Sequence, residues 1–170
     1  MTSMTLPGVT LRPADSDDVA AVAAVWHTGW RDGHLGNVPA SLEQHRRLDD
    51  FRRRVPARIA GTQVAVLGPR VIGFVMVDYD EIEQLFVAAE ARGRGVADAL
   101  LRQGEEMVSA GGLGRAWLAV ASGNTRARRF YERMDWQDAG PIEYSAETAT
   151  GSITVPCRRY ERQLGFPSRG

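Results

Sequence analysis

Runs of apolar residues, bounded by turn residues, predict strands near the start, through the middle and near the end of the chain. The turn Gly68-Pro69-Arg70 and the polar stretch at residues 78–80 separate three of these runs, so we expect three consecutive antiparallel strands there. The predicted strands cover residues 9–12, 62–67, 71–77, 81–87, 115–120, a segment that begins at residue 136, and 151–161.

Apolar residues at helical spacing predict helices between these strands. The predicted helices begin after Asp15 or Ser16, at the capping box Ser41-Leu42-Glu43-Gln44, at residue 96 and at residue 125. Trp26 and Trp30 share the apolar face of the first helix, which favours packing in the core. Gly104 lies inside the third helix, where glycine costs ~1 kcal/mol relative to alanine. We therefore expect that helix to approach the sheet closely.

The order β-α-α-β-β-β-α-β-α-β-β predicts an α/β (α+β) fold with one mixed central sheet of about seven strands. A chain of 170 residues suits one domain with one sizeable core. We expect this domain at residues 9–164, a flexible leader at 1–8 and a frayed tail at 165–170.

Composition narrows the classes of partner and compartment. The chain has no net charge at pH 7, so no bulk field draws it to nucleic acid or to an anionic membrane. No apolar run approaches the ~20 residues that span a bilayer, and no secretory signal is visible at the start. The single cysteine, Cys157, excludes an internal disulfide. We expect a soluble, cytoplasmic protein.

A basic, glycine-containing loop lies between a predicted strand and a predicted helix, which is a layout typical of phosphate binding. Gly93 and Gly95 let the backbone approach an anion, and Arg92 and Arg94 add positive charge. An ordinary turn is the alternative. A Walker loop needs lysine, and all 21 basic residues here are arginine. A dinucleotide-binding oxidoreductase is a weak alternative, because Asp98 stands where that fingerprint has a third small residue.

Two segments of sequence, in the right order, resemble one family. The loop Arg92-Gly93-Arg94-Gly95-Val96-Ala97 matches the pattern [Q/R]-x-x-G-x-[G/A]. The segment from Asn124 to Trp136 resembles N-x-x-A-x-x-F-Y-E-x-x-G-[FW], with Asp135 in place of the glycine. Both are similar to motifs of the GCN5-related N-acetyltransferase (GNAT) superfamily. Asp tolerates the left-handed backbone expected at that glycine position, so we predict only a small stability cost.

The resemblance implies the family's fold, cofactor and reaction. The strands at 81–87 and 115–120 would start side by side and then splay to admit the pantetheine arm. The implied activity is that of an acyltransferase, which moves an acetyl group from acetyl-CoA directly to an amine within a ternary complex, with no metal. The cofactor-binding residues implied are Leu85, Phe86, Val87, Arg92, Gly93, Arg94, Gly95, Val96, Ala97, Asn124, Ala127 and Tyr131.

The chemistry requires a base, an oxyanion donor and an acid. Glu81 and Glu83 are the candidate bases, with a preference for Glu83, and strand alternation predicts that both share a face with Leu85 and Val87. The family implies a backbone N–H near Val87 for the oxyanion and the hydroxyl of Tyr131 for the leaving thiolate. The alternatives are two solvated carboxylates and a core tyrosine.

The acceptor is expected to bind near the first two helices. The resemblance places their connection, Trp30 to Pro39, over that site, with Trp30 and His34 as candidate substrate-binding residues. The arginines of the second helix predict a solvated face, with a docking surface for an acidic substrate as the alternative. Small amine, antibiotic, amino acid and protein N-terminus all stay open as acceptors. A non-catalytic acyl-CoA sensor is the rival function, and a homodimer is an open alternative.

Overall fold

Seven strands form one mixed sheet in the order β1-β2-β3-β4-β5-β7-β6, which confirms the predicted architecture. The computed structural model describes residues 6–165, so most of the predicted leader and tail lie outside the described residues. Every neighbouring pair is antiparallel except β4 and β5. The strands are β1 (Val9–Pro13), β2 (Thr62–Leu67), β3 (Arg70–Asp78), β4 (Glu81–Val87), β5 (Arg115–Ala121), β6 (Gln137–Thr148) and β7 (Gly151–Gln163).

Helices cover both faces of the sheet and divide the core into two clusters. The helices are α1 (Val19–His34), α2 (Ala40–Glu43), α3 (Leu48–Arg58), α4 (Val96–Ala110) and α5 (Thr125–Arg133). On the first face, α1 and α3 pack around Trp26, Phe51 and Phe74. On the opposite face, α4 and α5 pack around residues that include Leu100 and Tyr160. The sheet therefore separates two apolar interiors.

The predicted capping box at Ser41 was wrong, and the predicted second helix is two helices. The short α2 follows Pro39, and no side chain caps it. The helix α3 begins only at Leu48, where the carboxylate of Asp50 accepts a hydrogen bond of 2.8 Å from the backbone N–H of Arg47. Asp50 is therefore the residue that marks the start of α3, because its side-chain oxygen accepts a hydrogen bond from a backbone N–H that has no partner within the helix.

The first half of the predicted connection after Trp30 is helical, since α1 runs on to His34. Gly29 and Gly33 of this helix serve close packing, whereas Gly36 takes left-handed backbone, with a φ of +83°, in the turn that follows α1. A Cβ at Gly29 would clash with the Phe86 ring, and one at Gly33 would meet the amide nitrogen of Asn124. The end of α1 therefore lies directly over β4 and over the segment that follows β5.

Gly104 has the close contact that its position predicts. A Cβ there would lie 2.9 Å from the Cδ1 of Ile82, on β4. The glycine lets α4 sit close to the sheet, which positions the start of that helix at the end of β4.

The parallel strands β4 and β5 touch only where they begin. Glu81 pairs with Trp117, and the Trp117 N–H donates to the carbonyl of Asp80 at 3.0 Å. Beyond this single register pair the two strands separate, so a gap opens in the middle of the sheet. The splayed pair is the feature around which the candidate site is built.

Candidate active site

The loop between β4 and α4 presents a row of free backbone donors. Gly93 and Gly95 adopt left-handed backbone, with φ of +77° and +79°, and Gly95 is the residue that caps α4. The backbone N–H groups from Gly93 to Asp98 have no hydrogen-bond partner among residues 6–165. Free N–H groups at a helix start, together with the helix dipole, favour an anion. Val96 and Ala97 supply part of this row.

The two arginines of this loop differ in their ion pairing. Arg92 makes an ion pair of 2.8 Å with Asp32 of α1. Arg94 is exposed and makes no ion pair with another described residue. The Arg92 bond ties the loop to the helix that covers the gap, whereas the Arg94 guanidinium is available to an anion.

Backbone groups of Leu85 and Val87 face the gap between β4 and β5. The Ala88 N–H donates to the Ile72 carbonyl at 2.8 Å, which fixes the phase of hydrogen bonding between β3 and β4. Because hydrogen-bonded pairs alternate in an antiparallel ladder, Leu85 and Val87 turn their N–H and C=O groups away from β3. Phe86 differs, since its backbone faces β3 and its ring packs under α1.

A bulge in β4 overturns the predicted alternation. The β3–β4 register shifts between Met76 and Val77, whose partners are Gln84 and Ile82, so Glu83 is an extra residue on β4. A bulge of this kind re-aims side chains. Glu83 and Gln84 therefore both line a cavity on the α1 face, whereas Leu85 and Val87 pack into the α4 face. The prediction that Glu81 and Glu83 share a face with Leu85 and Val87 was wrong.

The cavity has a volume of about 270 Å³ and lies beside the gap. Both predicted acceptor residues, Trp30 and His34, line it. Trp30 is only 5% exposed and belongs to the apolar core as well, so it packs in the core and also lines the cavity. The wall is completed by α3, by β4 and β5, and by the β6–β7 hairpin. Its charged or hydroxyl-bearing members beyond the predicted carboxylates are Arg46, Arg54, Arg58, Asp78, Tyr144, Ser145 and Glu147.

The two candidate bases lie in different environments. The Tyr144 hydroxyl donates to Glu81 Oε1 at 2.7 Å, whereas Arg58 Nε donates to Glu83 Oε1 at 2.9 Å. Burial raises the pKa of both carboxyls above the ordinary value, although the Tyr144 bond and the Arg58 charge each oppose the change. A raised pKa makes a carboxylate a better proton acceptor near neutral pH. Glu81 is the one without an arginine bound to it.

His34 is held as a neutral imidazole. Its ring stacks on Trp30 with centroids 5.2 Å apart, and Nδ1 donates to the Trp30 carbonyl at 3.1 Å. Burial lowers the pKa of His34 to about 4, and the nearby Arg46 charge also lowers it. Because Nδ1 carries the proton at neutral pH, Nε2 is left as an acceptor.

Tyr131 lies across the sheet from the cavity. It belongs to the cluster under α4 and α5, which also contains Leu85 and Val87, and it is 9% exposed. Its hydroxyl makes no hydrogen bond to another described residue, and burial raises its pKa above the ordinary tyrosine value. The Ala127 N–H donates to Asn124 Oδ1 at 3.2 Å, which confirms the capping interpretation of Asn124.

Comparison with known proteins assigns the family. A sequence model of the Acetyltransferase (GNAT) family matches residues 22–136. The chain belongs to this family. It is 28% identical over 137 residues to an uncharacterized N-acetyltransferase of Archaeoglobus fulgidus, a match that covers 74% of this chain and 90% of that protein.

Solved structures share the fold at low sequence identity. A GCN5-related N-acetyltransferase from Rhodopseudomonas palustris superposes with a TM-score of 0.74 at 20% identity, covering 95% of this chain and 99% of the other. The PaiA N-acetyltransferase of Thermoplasma acidophilum, solved in complex with coenzyme A, gives 0.69 at 15% identity over 92% of this chain and 99% of that one. At these identities the likeness establishes the fold.

The arginines of the predicted solvated face divide into two sets in this GNAT chain. Arg47, Arg52 and Arg53 are exposed, as predicted. The solvated interpretation was wrong for Arg46, Arg54 and Arg58, which line the cavity, and Arg46 is only 5% exposed. The i, i+4 spacing of Arg54 and Arg58 was the available signal that both occupy one helix face.

No sequence signal predicts that Tyr144 and Glu147 line the cavity, because their contacts with Glu81 and Arg58 depend on how β6 folds back over the first face.

None of the helices in the described part of the chain has the length and apolar character needed to cross a bilayer.

Proposed function

We propose that this GNAT protein transfers an acetyl group from acetyl-CoA directly to an amine, with both substrates bound at once. The observation that carries the proposal is the gap between β4 and β5, which opens beyond the Glu81–Trp117 pair. One end of this gap meets the free N–H groups at Gly93 to Asp98, and its side meets the cavity. A long cofactor with a diphosphate and a thioester fits such a path.

The diphosphate of coenzyme A would bind the loop through backbone N–H groups, with Arg94 adding a charge-assisted bond. The pantetheine arm would lie in the gap as an extra strand and pair with the free backbone groups of Leu85 and Val87. This arrangement puts the thioester beside the cavity. Phe86 would support the strand from the α1 side, and the cap from Asn124 to Ala127 would fix the start of α5.

Transfer forms a C–N bond and breaks the C–S bond of the thioester. An amine with a pKa near ~10 must first lose a proton, which Glu81 or Glu83 would accept from the cavity side. The Val87 N–H, turned into the gap, would stabilise the oxyanion that attack creates. The hydrogen bonds already made would distinguish the carboxylates, because Glu81 has no arginine bound to it and Glu83 does.

Tyr131 would approach the sulfur from the opposite face of the sheet. A thiol has a pKa of ~8.5, whereas the pKa of Tyr131 lies above the ordinary tyrosine value. Complete proton transfer from tyrosine to thiolate is therefore uphill. We infer that its hydroxyl stabilises the departing thiolate mainly as a hydrogen-bond donor, and that the buried phenolate is avoided.

The test uses purified protein, acetyl-CoA and a panel of amines, with release of free thiol as the readout. Thiol release that depends on the amine, with one N-acetylated product identified by mass spectrometry, supports the proposal. Tight binding of acetyl-CoA without turnover of any amine would instead support the acyl-CoA sensor. Absence of any heat with coenzyme A or acetyl-CoA in calorimetry would refute both functions.

A further inference from the structure

Two arginines that line the cavity have no carboxylate partner. Arg58 forms ion pairs with Glu83 and Glu147, at 2.9 and 3.3 Å, so its charge is compensated. Neither Arg46 nor Arg54 forms an ion pair with any other residue in the range 6–165. The charges of Asp50 and Glu147 partly offset the effect of burial on the pKa of Arg46, and those of Glu83 and Glu147 do so for Arg54. None of these carboxylates forms an ion pair with either guanidinium, and a largely buried charge without such a partner is costly.

Their other contacts leave most of their donors free. The Arg46 Nη1 donates to the His45 carbonyl at 3.0 Å, and the Arg54 guanidinium lies 4.6 Å from the centre of the Trp26 ring. Stacking on an indole fixes the plane of a guanidinium while leaving its N–H fork available. Arg46 is nearly buried, and both burial and the charge of Arg54 lower its pKa to about 10, so it stays charged at neutral pH.

The cavity therefore has charges of both signs, and two of its charged residues, Arg58 and Glu147, pair with each other. Glu81 and Glu83 lie on β4, beside the gap, and Arg46 and Arg54 come from the α2–α3 side. A second cavity of about 160 Å³ shares Arg46, Arg54 and Glu147, so these arginines form the wall between the two spaces. An acceptor with an amine at one end and an anion at the other would match this distribution of charge.

We propose that the acceptor is a small amine that carries a carboxylate, which Arg46 and Arg54 bind while its amine faces Glu81 and Glu83. The inference rests on the proposed acetyl transfer and adds the substrate class. Amines with a second positive charge are disfavoured at that end of the cavity, because Arg46 and Arg54 would repel it. The larger cavity, at about 270 Å³, is also close to the lower limit of ~300 Å³ for ordinary small-molecule pockets, which favours a compact acceptor.

The test compares each acid with its uncharged counterpart. The probes are the common L-α-amino acids, β-alanine and γ-aminobutyrate, each paired with its carboxamide, and spermidine as the polycation. We expect thiol release with one or more of the acids, and kcat/KM lower by about tenfold or more for the matching carboxamide, because an unpaired charge remains in the site. Carboxamides or spermidine that react as well as the acids would overturn the inference while leaving the proposed function intact.

Variants locate the effect on the protein. Arg54→Gln should raise KM for the preferred acid by about tenfold or more, with a much smaller change in kcat, and should leave KM for the carboxamide unaltered. Arg54→Lys should restore part of the affinity, since it keeps the charge and loses the fork. Arg52→Gln is the matched control, because Arg52 is on the same helix, is exposed and lines neither cavity. An equal change in KM for acid and carboxamide in Arg54→Gln would contradict the assignment.

A second measurement keeps the inference testable if no amine is turned over, an outcome that would refute the proposed function alone. The N-acetyl derivatives of the same acids are added to the protein with coenzyme A, and the shift in Tm is recorded. A stabilisation by N-acetyl acids that exceeds that by their carboxamides, and that Arg54→Gln removes but Arg52→Gln keeps, supports the carboxylate site. Equal shifts for the two series, or none, would overturn it.

Discussion

Replacing Gly95 with valine should weaken coenzyme A binding by about 5- to 30-fold. Gly95 has a φ of +79°, in the left-handed region, where an L-residue costs ~1–2 kcal/mol. A β-branched residue is a particular outlier there, so this range is a lower bound. In the free variant the loop can relieve the strain by moving away from this conformation, and the coenzyme must then restore it. Since ~1.4 kcal/mol corresponds to a factor of ten in the dissociation constant, a strain of ~1–2 kcal/mol weakens binding by about 5- to 30-fold.

The structural reason is the position of Gly95 at the start of α4. A change in its backbone rotates the N–H groups of Val96 and Ala97, which have no other partners in the described structure. Titration calorimetry with coenzyme A measures the dissociation constant directly. Circular dichroism and Tm, recorded on the same samples, show how much of the strain appears as lost stability.

Gly68→Val is the matched control. Gly68 also has a positive φ, of +59°, in the turn between β2 and β3, and a Cβ there would meet nothing within 4 Å. The same substitution therefore introduces comparable backbone strain away from the loop. We expect a lower Tm with coenzyme affinity unchanged. If Gly95→Val, while folded, bound coenzyme A as tightly as Gly68→Val, the N–H row would not be the diphosphate site.

Further predictions concern the groups proposed to act on either side of the gap. Tyr131→Phe should lower kcat by about 10- to 100-fold with little change in calorimetric affinity for coenzyme A, and an unchanged kcat would remove Tyr131 from the chemistry. The activity kcat/KM should fall as the pH is lowered and the base becomes protonated, at a pH above the ordinary carboxylate range because the pKa values of Glu81 and Glu83 are both raised. Whichever of Glu81→Gln and Glu83→Gln abolishes this fall identifies the base. For His34, the folded pKa of about 4 lies below the ordinary 6.5, so the unfolded chain binds the extra proton and stability falls as pH drops through that window, by up to about 3 kcal/mol. His34→Asn should show a smaller loss of Tm between pH 7 and pH 5 than the unmodified protein, and an equal loss would contradict the pKa.

The features that the sequence predicts well are local ones. The phosphate-type loop depends on Gly93 and Gly95, and their backbone angles are as expected. Asp135 takes the left-handed backbone, with a φ of +66°, that the family's glycine position requires. Gly104 has its close contact with the sheet. Each of these follows from what one residue type permits within a few residues of chain.

The features that it misses depend on partners far along the chain. Alternation along β4 does not predict which face Glu83 occupies, because the bulge in β4 arises from its pairing with β3, which is distant information for a sequence pattern. The arginines after Gln44 give the same charge pattern whether they face water or a cavity. Their division depends on the break between α2 and α3, and on the hairpin that brings Tyr144 and Glu147 over the first face.

The bulge also explains how one sheet could offer the proposed reaction two different chemical environments. An apolar setting further disfavours the phenolate, which helps a tyrosine hydroxyl to donate to a thiolate while staying protonated, and the cluster under α4 and α5 supplies such a setting. A base that accepts an amine proton requires a polar cavity with charges nearby, which the first face supplies. Regular alternation along β4 from Leu85 and Val87 would have put Glu83 on the tyrosine's side. The extra residue turns Glu83 to the cavity, so in the proposed reaction the base and the tyrosine that stabilises the thiolate would reach the same thioester from opposite faces, through the gap.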